Sequence, residues 1–387
     1  MRTYRIYYTF DELPDAWDRL AVHDIFLRKS YLKALELTSP KNISLYYLGV
    51  FDKNELVGIA IIQRVQLYLR DMFRQTEASC LKAHFRNTIS RIVKGNILVV
   101  GNLTHTGQHG IFFNEEQISF EVYLGIVFSA LEALEKQIKQ KHHKKVRAFM
   151  LKDFFEDDTI HLQYRSFKRS GFSQVSVQPN MVMDVHTDWL TMNYYVSSFN
   201  KKYRDRYKRS RRKLNGIKSI EMDEEAIKRH SKQLYKLYLN VSNNAKFNTF
   251  ILPENHFYSL KSHLKNAFRV FGYFLDGELI GFYTLILNGK HLETYFLGYD
   301  AIHQYPNQLY LNMLYDMAKF GIENKFETIV YARTAMEIKS SVGALPKPMQ
   351  VYVKHTNGIV NAILKQLFKL MDPTQKWQER HPFKNEV

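Results

Sequence analysis

Apolar positions along the chain gather into short runs separated by polar turns, and one such arrangement occurs twice. Tyr46-Tyr47-Leu48-Gly49-Val50 passes through Phe51-Asp52-Lys53-Asn54-Glu55 into Leu56-Val57-Gly58, which predicts strand, tight turn, strand. Val270-Phe271-Gly272-Tyr273, continued by Phe274-Leu275-Asp276-Gly277-Glu278-Leu279-Ile280-Gly281, predicts the same hairpin, with Asp276-Gly277 as a favoured turn dipeptide. The elements after each hairpin also correspond. In the first half the apolar run 96–100 leads through a glycine-rich loop, 101–110, into a long amphipathic helix over about 119–139 and then a strand at 146–151. In the second, 292–299 leads through a loop at 300–307 into a helix over about 308–323 and a strand at 328–332. Strand, loop, helix, strand demands a crossover connection and therefore a parallel pair. The expected fold class is α/β, twice over: tandem domains, each a mixed sheet, mostly antiparallel with a parallel pair at its centre, flanked by helices.

Length agrees, since 387 residues exceed the usual reach of one hydrophobic core. Between the repeats, segment 189–214 holds the run Lys201-Lys202-Tyr203-Arg204-Asp205-Arg206-Tyr207-Lys208-Arg209-Ser210-Arg211-Arg212-Lys213. A boundary is expected just upstream, near 185, giving domains 1–185 and 186–387. The net charge of +17 calls for an anionic partner: nucleic acid, lipid headgroups, an acidic carrier protein or a phosphate-bearing cofactor. Cys80 is the single cysteine, so the chain forms no internal disulfide and no cysteine zinc cluster, as suits a reducing compartment. Acidic residues Asp11, Glu12 and Asp15 come directly after the start, which argues against a signal peptide, and no apolar run is long enough to span a bilayer. The expected location is the cytoplasm, with peripheral contact at the inner membrane face as the membrane-bound variant of that reading. The amphipathic stretch 359–371, fringed with lysines, suits either core packing or an interface.

Several stretches of the second half carry a family resemblance. They are Lys202-Tyr203-Arg204-Asp205-Arg206 ahead of the basic helix, Leu279-Ile280-Gly281-Phe282, Tyr295-Phe296-Leu297-Gly298-Tyr299-Asp300, and the C-terminal Trp377-Gln378-Glu379-Arg380-His381-Pro382-Phe383. The most distinctive is Arg333-Thr334-Ala335-Met336-Glu337-Ile338-Lys339-Ser340, continued to Gly343-Ala344. Together they resemble the FemAB-like branch of the GNAT acyltransferases over 197–384. The resemblance implies transfer of an acyl or aminoacyl group to an amine by the C-terminal domain, with the N-terminal domain as its degenerate GNAT-like partner. It implies acyl-CoA or acyl-carrier protein as co-substrate rather than a permanently bound cofactor, and an amine-bearing small molecule or lipid precursor as acceptor. One departure matters: His303-Gln304-Tyr305-Pro306-Asn307-Gln308, at the place of the family's pyrophosphate loop, has no glycine to let backbone N–H groups approach a phosphate. A carrier-bound thioester and an aminoacyl-tRNA therefore stand as alternatives to CoA. A non-catalytic RNA- or membrane-binding module is a further reading.

Amine acylation needs a base for the ammonium proton and an acid for the leaving group. Period two along His291-Leu292-Glu293-Thr294-Tyr295 puts His291, Glu293 and Tyr295 on one face, so Glu293 or His291 is the candidate base and Tyr295 the candidate acid; the alternative is a solvent-wetted sheet edge. Arg333 comes directly after an apolar strand, where α/β proteins hold ligands, and Lys339, Ser340 and Ser341 offer donors to a phosphate or carboxylate. The competing reading of Arg333 and Glu337 is a helical i,i+4 ion pair. Thr334, Glu337, Asp300, Gln304, Asn307, Arg204 and Arg206 complete the candidate donor- or substrate-binding set. His105 and His109 have the spacing of metal ligands, but the glycines around them argue against the helix a zinc pair needs, so no metal is expected; the loop reads as a phosphate or substrate loop or as plain surface. Tyr203 and Tyr207 among the cations could stack on RNA bases or pack inward.

Overall fold

A computed structural model describes residues 2–67, 95–244, 248–371 and 377–384; Cys80 lies outside them. The chain forms two compact units. Unit 1 comprises Met1–Gln178, Ala245–Leu252 and Pro348–Thr374; unit 2 comprises Pro179–Asn244, Pro253–Lys347 and Gln375–Val387.

In unit 1 the strands β1 (Arg2–Tyr7), β2 (Ile43–Asp52), β3 (Glu55–Leu67), β4 (Gly95–Val100) and β6 (Val146–Phe155) lie side by side in that order. β5 (Ile111–Phe113) adds to β3. Residues 349–355 of β13 (Leu345–His355) complete the sheet against β6. Among the described residues of this unit, only β4 and β6 pair in parallel, joined by the crossover helix Phe120–His142. Unit 2 repeats the plan with β8 (Ile217–Glu221), β9 (Phe268–Leu275), β10 (Glu278–Asn288), β11 (His291–Tyr299) and β12 (Thr328–Ala332). Residues 181–184 of β7 (Ser173–Asp184) close it against β12. Here β11 and β12 pair in parallel, and the helix Leu309–Glu323 makes the crossover. The duplicated order read from the sequence is present strand for strand.

Local chemistry explains the repetition. Lys53 and Asn54, like Asp276 and Gly277, all have positive φ, the conformation of a two-residue hairpin turn whose twist matches the strands. The glycine ending each hairpin motif serves packing. A Cβ on Gly58 would stand 2.8 Å from the ring of Tyr123 on the first crossover helix, and one on Gly281 2.8 Å from Met313 on the second. Each crossover helix thus sits down on its hairpin at the same point. On the first, Tyr123, Leu124, Val127, Leu131, Leu134 and Ile138 are buried at helical spacing, and the Tyr123 hydroxyl donates to the Ile59 carbonyl at 2.6 Å.

The units are not the contiguous halves 1–185 and 186–387. Each sheet takes its last strand from the other side of that boundary: β6 pairs with 349–355, and β12 with 181–184. The basic run marked a change in composition, whereas backbone pairing decides which residues form a unit. Among the described residues no helix is long and apolar enough to cross a membrane.

Cutting at 185 should therefore leave each fragment without a ladder. Expressed separately, 1–185 and 186–387 are expected to lack the cooperative thermal transition of the full chain. A sharp transition in either fragment alone would show that its closing strand is dispensable.

Candidate active site

β11 and β12 run parallel from His291 beside Thr328 to Glu293 beside Val330, and pair no further. β11 continues to Tyr299 while β12 stops at Ala332. Glu293 therefore occupies the last rung before a notch opens at the carboxyl ends of the two strands, and it is 3% exposed. Just beyond it the register with β10 slips. Leu285 faces Thr294 but Tyr283 faces Leu297, so Thr284 stands opposite both Tyr295 and Phe296, a bulge held by the Thr284 hydroxyl donating to the Phe296 carbonyl at 2.7 Å. On this face the Tyr295 hydroxyl lies 3.0 Å from Nε2 of His256, with the two rings stacked at 5.9 Å. His256, wholly buried, opens the helix His256–Leu264.

The end of β12 is shaped by Lys339. Ala332, Thr334 and Ala335 all have left-handed φ, which is costly for residues with a Cβ and most of all for β-branched Thr334. The Lys339 ammonium, 5% exposed, donates to the carbonyls of Ala332 (3.1 Å) and Arg333 (2.6 Å) and so ties this turn from inside. Burial pushes its pKa down to about 7. Ser340 is fully buried; its hydroxyl donates to the Glu337 carbonyl and accepts the Arg380 amide. Ser341 turns to the Ile338 carbonyl. Expected as ligand-binding donors, Lys339, Ser340 and Ser341 instead hold protein backbone. Arg333 and Glu337 form no helical pair either, because the helix Met336–Ser340 begins after Arg333 and Glu337 is ion-paired with Arg380.

Other candidates are also engaged locally. The expected loop at 300–307 is a helix, Ala301–Asn307, capped by Asp300 accepting from the Ile302 amide and ended by left-handed Gln308. The Gln304 side chain accepts from the Tyr310 amide at 2.9 Å, one of the orphan donors at the start of the crossover helix, and Asn307 donates to the Lys213 carbonyl at 2.9 Å. Arg204 donates to the Phe199 carbonyl. His291 stands exposed at the amino end of β11, two residues before Glu293, bonded to the Thr328 hydroxyl. The sequence did not reveal His256, which is 39 residues from Tyr295 and marked only as a lone histidine at a helix start.

The basic run forms the helix Lys201–Arg212, capped by Asn200. Its tyrosines face inward: Tyr203 is buried, and Tyr207 meets Tyr315 edge to face at 4.9 Å. Arg211 on the same face pairs with Asp316 at 2.6 Å. Between this helix, the start of the helix Met336–Ser340 and the C-terminal segment lies a cleft of about 550 Å³ lined by Lys202, Tyr203, Arg206, Met336, Trp377 and Arg380. Of the predicted binding residues, Arg206 and Glu337 line this cleft, while Arg333 and Thr334 form the turn just ahead of it.

In unit 1 the glycine-rich loop is neither surface nor open. Asn102, Thr104 and His105 are buried, His105 stacks on Phe26 at 3.9 Å, and His109 Nδ1 lies 2.8 Å from Asp24. Lys152 donates to the His105 carbonyl at 2.8 Å, and burial holds the His105 imidazole well below its usual pKa.

Residues 201–340, which include β11, β12 and the Lys339 turn, match the acetyltransferase (GNAT) domain family. The fold is similar to that in the crystal structure of FemX, at 12% identity, a TM-score of 0.55, and coverage of 95% of this chain and 100% of that one. It is also similar to a tandem GNAT protein from the clavulanic acid biosynthesis pathway, at 9% identity, a TM-score of 0.51, and coverage of 92% and 99%. No curated protein matches in sequence. That family match lies within 201–340 and spans 140 of the 387 residues. The likeness to these two structures is one of fold: two GNAT-like units in tandem.

The Lys339 tie has a pH signature. Because folding lowers this pKa, the unfolded chain holds the extra proton between about 7 and the 10.5 of free lysine, so the burial penalty is present in full below 7 and fades as pH rises through that window. Relative to Lys339→Met, the wild type should gain stability between pH 7 and 10 in urea unfolding. A difference independent of pH would mean that the Lys339 ammonium keeps its ordinary pKa in the fold.

Proposed function

We propose that the chain moves an acyl group from a thioester donor, acyl-CoA or an acyl-carrier protein, to an amine acceptor at the notch of unit 2. The observation that carries this reading is the parting of β11 from β12 immediately after a buried carboxylate. In unit 1 the equivalent strands β4 and β6 stay paired at five positions, up to Val100 beside Leu151. That contrast supports unit 1 as the degenerate partner.

The amine nitrogen attacks the thioester carbonyl, and the Glu293 carboxylate takes its proton. The tetrahedral intermediate collapses with cleavage of the carbon–sulfur bond. The departing thiolate receives the Tyr295 hydroxyl proton while the hydrogen bond to His256 Nε2 orients that hydroxyl; after the products leave, Tyr295 regains a proton from water and Glu293 releases its own to water, which closes the cycle. Arg333, at the carboxyl end of β12, and the cations Lys202 and Arg206 in the neighbouring cleft give an anionic group of donor or acceptor a place to bind, with Trp377 and Met336 covering its apolar part. A carrier-bound pantetheine thioester fits the glycine-free segment at 303–308 better than a donor held through its pyrophosphate there, because Gln304 already occupies an amide at the crossover helix's start.

Thiol release from a panel of acyl-CoA and acyl-carrier donors, each with a set of amines, tests the proposal. Glu293→Gln is expected to lower turnover by about 10²–10⁴ with the unfolding temperature little changed. Tyr295→Phe should slow thiol release while His256 stays folded in place. Near-normal turnover in Glu293→Gln would remove Glu293 as the base, and turnover only with charged tRNA would replace the thioester donor.

A further inference from the structure

The helix Ala301–Asn307 is built inside out. Ala301, Ile302, Tyr305 and Pro306 share one face, at the i, i+1, i+4, i+5 spacing, and all are exposed, Ile302 by 77% and Tyr305 by 84%. The polar residues turn inward instead: Gln304 accepts from the Tyr310 amide and Asn307 donates to the Lys213 carbonyl. An amphipathic helix in water orients the other way, so the apolar face lacks the cover that this sequence calls for. The Asn307 bond also ties this helix to the end of the basic helix Lys201–Arg212, where Lys208, Arg209, Arg212 and Lys213 are exposed.

From this juxtaposition we infer that the Ala301–Asn307 helix and the cationic end of the Lys201–Arg212 helix form a docking surface for an anionic lipid bilayer. Four side chains on fewer than two turns fall well short of the ~1,000 Å² that a specific protein interface buries. A shallow apolar wedge beside a cluster of cations is, by contrast, sufficient for interfacial binding, since apolar burial at the headgroup boundary adds to attraction for anionic lipid. Each cation near such a surface raises affinity about fivefold. The run Lys201 to Lys213 holds nine lysines and arginines against the single acid Asp205, so the charge balance there is unambiguous. This surface is independent of the acyl donor and of the roles given to Glu293 and Tyr295.

Full-length protein sedimented with phosphatidylcholine vesicles, with and without phosphatidylglycerol, tests the inference. Pelleting is expected with the anionic vesicles only, and should fade as salt is raised. The double variant Ile302→Ser/Tyr305→Ser should partition about tenfold less with an unchanged unfolding temperature, and changing Lys208, Arg209, Arg212 and Lys213 to Gln should abolish the salt dependence. The inference is overturned if the wild type does not pellet with anionic vesicles or if the double variant pellets as the wild type does. It is equally overturned if the double variant instead alters the oligomeric mass of the protein in the absence of lipid, which would make this face a contact between copies.

Discussion

Two backbone ladders govern the molecule: 349–355 along β6 and 181–184 along β12. An unpaired strand edge inside a folded unit leaves buried N–H and C=O groups unsatisfied, at a cost comparable to a lost hydrogen bond for each. β12 needs its ladder most, since its other neighbour, β11, accompanies it for only three residues. Without 181–184 the strand would be held on one side over half its length, and the turn carrying Arg333 and Thr334 would have no fixed origin. The notch is thus possible because the opposite edge of β12 is secured by a strand from far away in the sequence.

Around that notch, local structure competes with function for polar side chains. Helix and strand ends leave orphan backbone groups, and nearby polar residues are the readiest means of satisfying them. Gln304 caps the crossover helix, Asn307 and Asp300 finish a short helix, and Lys339 and Ser340 hold the turn after β12. Residues left with side chains facing the cleft, Lys202 and Arg206 among them, lie on the outward side of a helix whose other face is committed to Tyr315 and Asp316. Glu293 and Tyr295, the proposed base and acid, sit where strand regularity breaks.

The repeated hairpin and crossover were legible in the sequence because they depend on local signals: the turn at Asp276-Gly277, the glycines 58 and 281, and the helical spacing of apolar residues before 142 and 323. The polar alternation along β11 was equally plain, and from it Glu293 and Tyr295 became the proposed base and acid. The features that escaped are set at long range. The Tyr295 partner His256 is brought in by packing, the bulge opposite Thr284 is a matter of register, and the exchange of closing strands has no signature in composition. Residue type alone also overstated the binding set, since a buried lysine that tethers carbonyls and an exposed one that binds phosphate look identical in a sequence.

The exchanged strands also have a meaning in time. A ribosome releases the chain from its amino end, so β6 emerges with its outer edge open and stays so until 349–355, some two hundred residues later, leaves the exit tunnel. The first sheet therefore cannot be finished domain by domain during synthesis, and its closure is a contact of very large sequence separation, the kind that makes folding slow. During translation the exposed edge is an invitation to wrong pairing that the mature protein no longer offers, which places the hazard for this fold in its birth rather than in its working life.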